Sequence, residues 1–235
     1  MIITIHQPEH LPWLGFFHKA YQVDHIVILD NVQFRKNYFQ NRNKIRTKEG
    51  WQWITVPVSR SLDTIIKDVL ITDEPRWKEK WWNAVYLNYN SSKYFYDYEK
   101  QLHKILDSST NNLCDLNVYL LKLIFKILGI KAQITMASEL KVEGRSGELI
   151  LDICKKVKAK TYISGISGKD YLDIKAFNDA GIDITFQEFH HPIYKQLYSP
   201  FMPCMSVVDL IFNHGAESMN IINGQGIEVM ADLFL

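Results

Sequence analysis

Two histidines near the amino terminus are the first residues in this sequence that could carry chemistry. His6 and His10 stand in the segment IHQPEHLPWLGFF, which runs from Ile5 to Phe17. An imidazole titrates near neutral pH and can accept a proton from an attacking amine, as a general base must. Gln7 adds an amide that can bind ligand oxygens. We therefore predict that His6, Gln7 and His10 line a pocket, with His6 and His10 as candidate catalytic groups.

The spacing of these histidines also admits other interpretations. Four residues apart on a helix, they would share one face and could hold a metal ion, but Pro8 and Pro12 disfavour a helix here. We therefore predict a polar cluster and no metal ligands, while a structural role for His6 as a strand cap and for His10 in solvent stays open. Trp13 is either core or a ligand platform, and we include it among the predicted substrate-binding residues.

A second polar group follows Asp30, which ends an apolar run, HIVILD. Amide and guanidinium side chains are frequent in the next residues, and together they suit a hydroxylated or phosphorylated small molecule. We predict that Asp30 is a catalytic residue that orients a histidine or a sugar hydroxyl. The substrate-binding residues predicted in this segment are Gln33, Gln40, Arg42 and Asn43.

The same segment raises nucleic acid as a rival partner. Residues 34–48 alternate cations with Phe34, Tyr38 and Phe39, a pattern also found in proteins that bind single strands. The net charge of only +1 argues against a general attraction to polyanions. A solvated loop would explain the lysines but not the amides. Nucleic-acid binding therefore stays the less favoured alternative.

A third group lies in the segment TYISGISGKDYLD, from Thr161 to Asp173. Backbone N–H groups between a strand and a helix can bind phosphate. The segment is not a P-loop, because Asp170 follows Lys169 where that motif needs serine or threonine. A tight turn without a ligand is the other interpretation. The predicted binding residues are Ser164, Gly165, Ser167, Gly168, Lys169 and Tyr171.

These groups need a scaffold that brings strand ends together. The β-branched run Ile2–His6, a helix from about Pro12 to Gln22 and the strand His25–Asp30 form a β-α-β beginning. Strands and helices alternate again after Gly129, which implies parallel strands whose carboxyl ends carry the site. We predict a three-layer α/β fold with a mainly parallel sheet, a single domain over residues 1–235 and a helical insertion at about 75–128.

Three further local predictions follow. The segment after Asp30 is expected to form a long functional loop or lobe before a strand at Trp51–Val58. Ser206 is expected to cap a short helix, with Asp209 as the acidic partner of a capping box.

Composition narrows the class of protein. Of 235 residues, 47% are hydrophobic and 23% charged, as in a globular rather than a disordered chain. Cys114, Cys154 and Cys204 lie far apart, so neither a disulfide framework nor a zinc cage is predicted. The amino-terminal segment is too short and too lightly charged for a signal peptide, and no apolar run reaches membrane-spanning length. We therefore expect a cytoplasmic protein.

Five segments, in this order, resemble the WbqC-like family. They are HQPxxLPWxG (His6–Gly15), Asp30 with VQF (Val32–Phe34), QNR (Gln40–Arg42), SGxxGxxYL (Ser164–Leu172) and SxxDLIFNxG (Ser206–Gly215). Members of that family are associated with gene clusters for bacterial O-antigen and other surface polysaccharides. The resemblance implies a role in modifying sugars, such as glycyl or other acyl transfer to an amino sugar.

Two function classes therefore stay open. The first is a transferase acting on a nucleotide-linked or lipid-linked sugar, with ATP or acyl-CoA as the donor-side ligand, a histidine as base, and Arg42 and the 164–169 turn holding negative charge. The second is an accessory protein that binds a sugar nucleotide without catalysis. The start of the chain is also similar to nucleotidylyltransferase-like ligases such as pantothenate synthetase. Their HxGH motif is absent here, because Leu11, Pro12 and Trp13 follow His10.

Overall fold

The computed structural model describes residues 1–35, 37–59, 63–108 and 110–225. Its strands are β1 (Ile2–His6), β2 (His25–Ile28), β3 (Arg42–Thr47), β4 (Gly50–Thr55), β5 (Val58–Ser59), β6 (Leu70–Ile71), β7 (Gln133–Met136), β8 (Thr161–Ser164) and β9 (Asp183–Phe186). Its helices are α1 (Leu14–Tyr21), α2 (Trp77–Tyr89), α3 (Phe95–Leu106), α4 (Leu113–Leu128), α5 (Gly147–Lys156), α6 (Ile174–Asp179), α7 (Val207–His214) and α8 (Ser218–Ile222).

Five of these strands form a parallel sheet in the order β7-β2-β1-β8-β9. The sequences IITIH of β1 and HIVI of β2 suit central strands, because β-branched residues pack well when both faces of a sheet are covered. Helices flank the sheet, and Ile3, Val27, Ile153 and Phe177 are part of the shared core. The prediction of a three-layer α/β fold with a mainly parallel sheet is confirmed.

By backbone contacts the chain divides into two compact units, each assembled from three segments. The sheet unit consists of Met1–Gln7, His18–Val32 and Ile130–Phe189. The second unit consists of Pro8–Phe17, Gln33–Gly129 and His190–Leu235. One domain over residues 1–235 stays a prediction.

The second unit contains the predicted helical insertion. Helices α2, α3 and α4 fall within residues 75–128, between β6 and β7 in chain order. Helix α4 has an asparagine cap, because the Asn112 side chain accepts a hydrogen bond from the N–H of Asp115, and Gly129 ends the helix in the left-handed conformation (φ 69°) that glycine adopts easily.

The expected long loop after Asp30 is partly a strand. Strand β3 pairs antiparallel with β4, with Ile45 opposite Gln52, and the buried Ile45 and Ile54 anchor one face of this hairpin. The predicted strand Trp51–Val58 is also wrong in its extent. Strand β4 ends at Thr55 and β5 begins at Val58, and Pro57 between them has no N–H to continue a ladder.

Helix α1 covers Leu14–Tyr21, less than the expected Pro12–Gln22. No helix in the described ranges is long and apolar enough to cross a membrane. Across the same ranges, no group of three or more histidine, cysteine or acidic side chains is arranged to hold a metal ion, and Cys114, Cys154 and Cys204 form no disulfide.

Candidate functional site

The sheet changes its direction of growth between β1 and β8. From β1 the chain proceeds through β2 to β7 on one side, and then adds β8 and β9 on the other. In open parallel sheets, ligands bind outside the carboxyl ends of the strands at such a switch point. His6 ends β1 and Ser164 ends β8, so both predicted residues lie there.

His6 has a defined tautomer at this position. Its Nδ1 lies 3.0 Å from the carbonyl oxygen of Gln7, and a carbonyl can only accept, so Nδ1 carries the proton. The lone pair is therefore on Nε2. Burial, and next the positive charge of Lys19, lower the pKa of His6 to about 3, so the ring is neutral at physiological pH.

Lys19 is a functional candidate that the sequence prediction missed. It lies on α1, is only 5% exposed, and its Nζ is 4.0 Å from the position that a Cβ on Gly165 would occupy. Lysine is rarely buried in this way. The available signal was that Lys19 shares the 3–4 spacing of the apolar Phe16, Ala20 and Val23, and so falls on the buried side of a short helix.

Asp30, the third predicted catalytic residue, is 2% exposed and bonded through both carboxylate oxygens. Oδ1 accepts from the backbone N–H of Ser138 at 2.9 Å, and Oδ2 accepts from the Ser138 hydroxyl at 2.6 Å. The carboxylate thus fixes the segment that follows β7. Its predicted role toward a histidine or a sugar stays a prediction.

The predicted phosphate-binding segment is a tight turn that continues into a short 3₁₀ helix, Ile166–Asp170. The N–H of Gly168 donates to the carbonyl of Gly165 at 3.0 Å. A Cβ on Gly168 would lie 2.0 Å from Oγ of Ser164, so close packing explains this glycine. Ser167, Lys169 and Tyr171 are exposed around the turn, and Lys169 Nζ lies 5.3 Å from the centre of the Phe186 ring.

His10 belongs to the second unit and is fully buried. The indole Nε1 of Trp81 donates to its Nε2 at 3.0 Å, so Nδ1 carries the proton and donates to Oδ1 of Asn117 at 3.0 Å. Burial lowers the pKa of His10 to about 4. Both ring nitrogens are therefore engaged, a geometry that favours positioning over proton transfer.

The predicted amides of the second unit bind backbone. Nδ2 of Asn43 donates to the carbonyls of His10 and Leu11, at 3.2 and 2.7 Å, and thereby holds Leu11 with its unusual φ of 45°. Oε1 of Gln40 accepts the N–H of Arg35 at 2.8 Å. These bonds give the amide-rich segment a structural explanation that its composition did not reveal.

The other predicted residues of this unit have different surroundings. Trp13 stacks with His191, their ring centres 6.4 Å apart and 19° from parallel. Gln33 is exposed and forms an isolated bridge with Ile65. Arg42 lies on β3 with its guanidinium carbon 4.1 Å from the centre of the Trp53 ring.

The capping prediction is half right. The Ser206 hydroxyl accepts from the N–H of Val208, as a cap does, but the N–H of Ser206 donates to the carbonyl of Lys44 at 2.8 Å. Asp209 therefore does not complete a capping box. Its carboxylate is fully buried and accepts from the side chains of Tyr89, Tyr194 and Gln196 at 2.8–2.9 Å.

The structure thus assigns the predicted residues to both units. Those in the sheet unit are His6, Gln7, Asp30, Ser164, Gly165, Ser167, Gly168, Lys169 and Tyr171. Those in the second unit are His10, Trp13, Gln33, Gln40, Arg42 and Asn43.

Comparison with known proteins identifies the family. The sequence profile of the WbqC-like protein family matches residues 7–221. The chain belongs to this family. A relative in Mycobacterium tuberculosis (strain ATCC 25618 / H37Rv), the uncharacterized protein Rv1507c, is 34% identical over 220 residues, which cover 92% of this chain and 95% of the relative. No solved structure matches the chain.

Proposed function

We propose that this WbqC-like protein is a cytoplasmic transferase that modifies a nucleotide-linked or lipid-linked sugar for surface polysaccharide. The observation that carries the proposal is the grouping of His6, Lys19 and Gly165 at the switch point of the parallel sheet. A buried cation beside a neutral base suits a substrate that bears phosphate and a reactive amine. The membership of the chain in the WbqC-like family is consistent with this chemistry.

Lys19 is the group that would hold the phosphate. Its charge already acts on His6, whose pKa it lowers together with burial. Gly165 has no side chain, so a ligand can approach the Lys19 ammonium along that backbone. Ser167 and Lys169 are exposed on the same turn and add donors for an oxygen-rich group.

His6 would serve as the base through Nε2, which carries the lone pair. In acyl transfer, the amine nitrogen of the sugar bonds to the acyl carbon, the bond to the donor's leaving group breaks, and the amine proton passes to Nε2. A bound phosphate opposes the positive field of Lys19, so substrate binding raises the pKa of His6 and strengthens it as a base. Binding of the substrate would thereby increase the basicity of the histidine that deprotonates it.

A non-catalytic sugar-nucleotide-binding protein is the second candidate, and one observation favours it. Two of the predicted catalytic residues are poor proton carriers, because burial lowers the pKa of His6 to about 3 and that of His10 to about 4. The carboxylate of the third, Asp30, is bonded to Ser138 through both oxygens. Binding through Lys19 would then be the whole function.

The test is a pair of variants assayed with a panel of nucleotide-linked amino sugars, using ATP with glycine, or acyl-CoA, as donor. Lys19→Met should weaken binding of the sugar nucleotide by about tenfold or more, because a buried charged hydrogen bond is lost. Lys160→Met, at an exposed position directly before β8 and so at the amino end of that strand, is the control and should change affinity by less than about threefold.

The second variant separates catalysis from binding. His6→Gln should lower turnover by about two to four orders of magnitude while keeping affinity. Binding without turnover in the unaltered protein across the panel would favour the non-catalytic candidate. Equal affinity of Lys19→Met and the unaltered protein would remove the sheet unit's site from both candidates.

A further inference from the structure

One face of the β3–β4 hairpin carries cations on tryptophan rings. Arg42 and Lys44 of β3 lie on the same face as Trp51 and Trp53 of β4, because Lys44 pairs directly with Trp53. The Arg42 guanidinium carbon is 4.1 Å from the Trp53 ring centre, and Lys44 Nζ is 4.7 Å from that of Trp51. We call these four residues the cation–tryptophan face.

The cation–tryptophan face has polar groups and an exposed ring that can contact a ligand. Trp51 is 43% exposed, which is unusual for so large an apolar side chain. Among the described residues, Lys44 Nζ makes no hydrogen bond or ion pair, and the Arg42 guanidinium makes one hydrogen bond, from Nη2 to the carbonyl of Asn37 at 2.5 Å. The opposite face of the hairpin is anchored by the buried Ile45 and Ile54, and on the cation–tryptophan side Arg46, opposite Trp51, is also buried. Arg42 and Lys44 are half-buried, so the part of this side that a ligand can reach consists of these two cations and the exposed Trp51.

The chemistry of this face selects an anion. A guanidinium stacked on an indole keeps its N–H edge available for two oxygens of a carboxylate or phosphate. Two residues along a strand separate Arg42 and Lys44 by about 7 Å, so the two cations can bind two anionic groups of one chain. Tyr38 and Phe39 extend the aromatic surface beside Trp53.

A sugar chain fits this face better than a nucleic acid. Unstacked bases need open ring faces, and here Arg42 and Lys44 cover faces of Trp53 and Trp51. Strong binding to nucleic acid also draws on many cations, whereas this face offers two and the whole chain has a net charge of +1. Hydroxyls and carboxylates of a glycan can bond to the cation edges without displacing them from the rings.

We infer that the cation–tryptophan face binds an oligosaccharide bearing carboxylate or phosphate groups. The choice of a sugar chain rests on the proposed function, but the four residues of the face all belong to the second unit and include neither His6 nor Lys19. Binding here would let a sugar-modifying protein hold an acidic glycan through residues that take no part in the proposed transfer.

The experiment measures affinity of the full chain without any donor. The probes are an oligogalacturonate decamer for carboxylate, a phosphorylated mannose oligosaccharide for phosphate, a neutral maltodecaose and a ten-nucleotide oligothymidylate. We expect one or both anionic glycans to bind, with Arg42→Gln and Lys44→Gln each weakening that binding by about tenfold. Lys44→Arg should largely restore it.

The matched control is Lys48→Gln, which removes the same charge from an exposed position between the two strands. It should change affinity by less than about twofold. Equal losses in the control and the face variants, equal binding of the neutral glycan, tighter binding of the oligothymidylate, or no glycan binding would each overturn the inference. Lys19→Met should leave glycan binding unchanged, so failure of this inference is distinguishable from failure of the proposed transfer.

Discussion

Two histidines that look equivalent in the sequence have different roles to offer. His6 ends β1, donates from Nδ1 to the Gln7 carbonyl and lies in the field of Lys19, whereas both nitrogens of His10 are bonded to the side chains of Trp81 and Asn117. Residue type and spacing could predict that both lie in polar surroundings. They could not predict that both nitrogens of His10 are bonded, because the partners of His10 are 71 and 107 residues away in the chain.

His10 should make folding stability depend on pH. Its pKa of about 4 in the folded protein is below the ordinary 6.5, so the unfolded chain binds the extra proton first as the pH falls. This contribution is present above pH 6.5 and is lost toward pH 4, with about 1.5 kcal/mol disappearing between pH 6.5 and 5. Urea unfolding at several pH values measures this change.

The variant His10→Asn should remove the His10 share of that pH dependence, while His6, whose pKa is also lowered, keeps its own share. It should also destabilise the protein at pH 7 by about 1–3 kcal/mol, because Trp81 and Asn117 lose their partner. His190→Asn, at an exposed position, is the control and should leave the curve unchanged. If His10→Asn instead lost turnover while keeping full stability, His10 would be a catalytic base and our positioning role would be wrong.

At the scale of elements, the sequence predicted those with strong apolar patterns. The runs of β1 and β2 and the apolar face of α4 indicated their structures directly. Strand β3 was missed because RNKIRT has one apolar residue, Ile45, and its other inward residue, Asn43, bonds to the backbone of the loop at residues 10–11. A polar residue that faces inward hides the alternation on which strand prediction depends.

The turn after β8 tests how tightly an element is packed. Gly168→Ala should destabilise the protein by about 1–3 kcal/mol, because the new Cβ would meet Ser164 Oγ at 2.0 Å and Leu172 Cδ1 at 2.9 Å. Gly165→Ala is the matched control, with its nearest neighbour, Lys19 Nζ, at 4.0 Å. Thermal melting of both variants measures the difference, and equal melting temperatures would contradict the packing argument.

At the scale of the whole molecule, the fold class followed from the order of strands and helices, but the division into two units did not. Residues 8–17 look continuous with the β-α-β start, yet they group with residues 33–129 through contacts such as Asn43 with Leu11. Contacts of that kind join polar side chains to backbone and leave no periodic signature. The predicted site residues therefore fall in both units, and their membership of one site stays a prediction.

The reactivity of the three cysteines tests how the folded chain is packed. Burial raises the pKa of Cys154 to about 12 and that of Cys204 to about 11, and Cys114 is 2% exposed. Thiolates are the reactive form, so a thiol reagent at pH 8 should label the native protein slowly and all three cysteines rapidly in denaturant. Mass spectrometry of labelled peptides measures this order. Rapid native labelling of Cys154 would contradict the packing of the sheet unit.

The interleaving of segments has a consequence for synthesis on the ribosome. The sheet unit lacks its last strand until Phe186 has been made, and the second unit still lacks Asp209, on which Tyr89 and Tyr194 converge. Neither unit can therefore mature early as an independent nascent domain. Residues up to Asp209 must emerge before Tyr89 and Tyr194 can meet their carboxylate, so a nascent chain stalled before that point cannot bury the two hydroxyls and keeps its apolar surface exposed to chaperones.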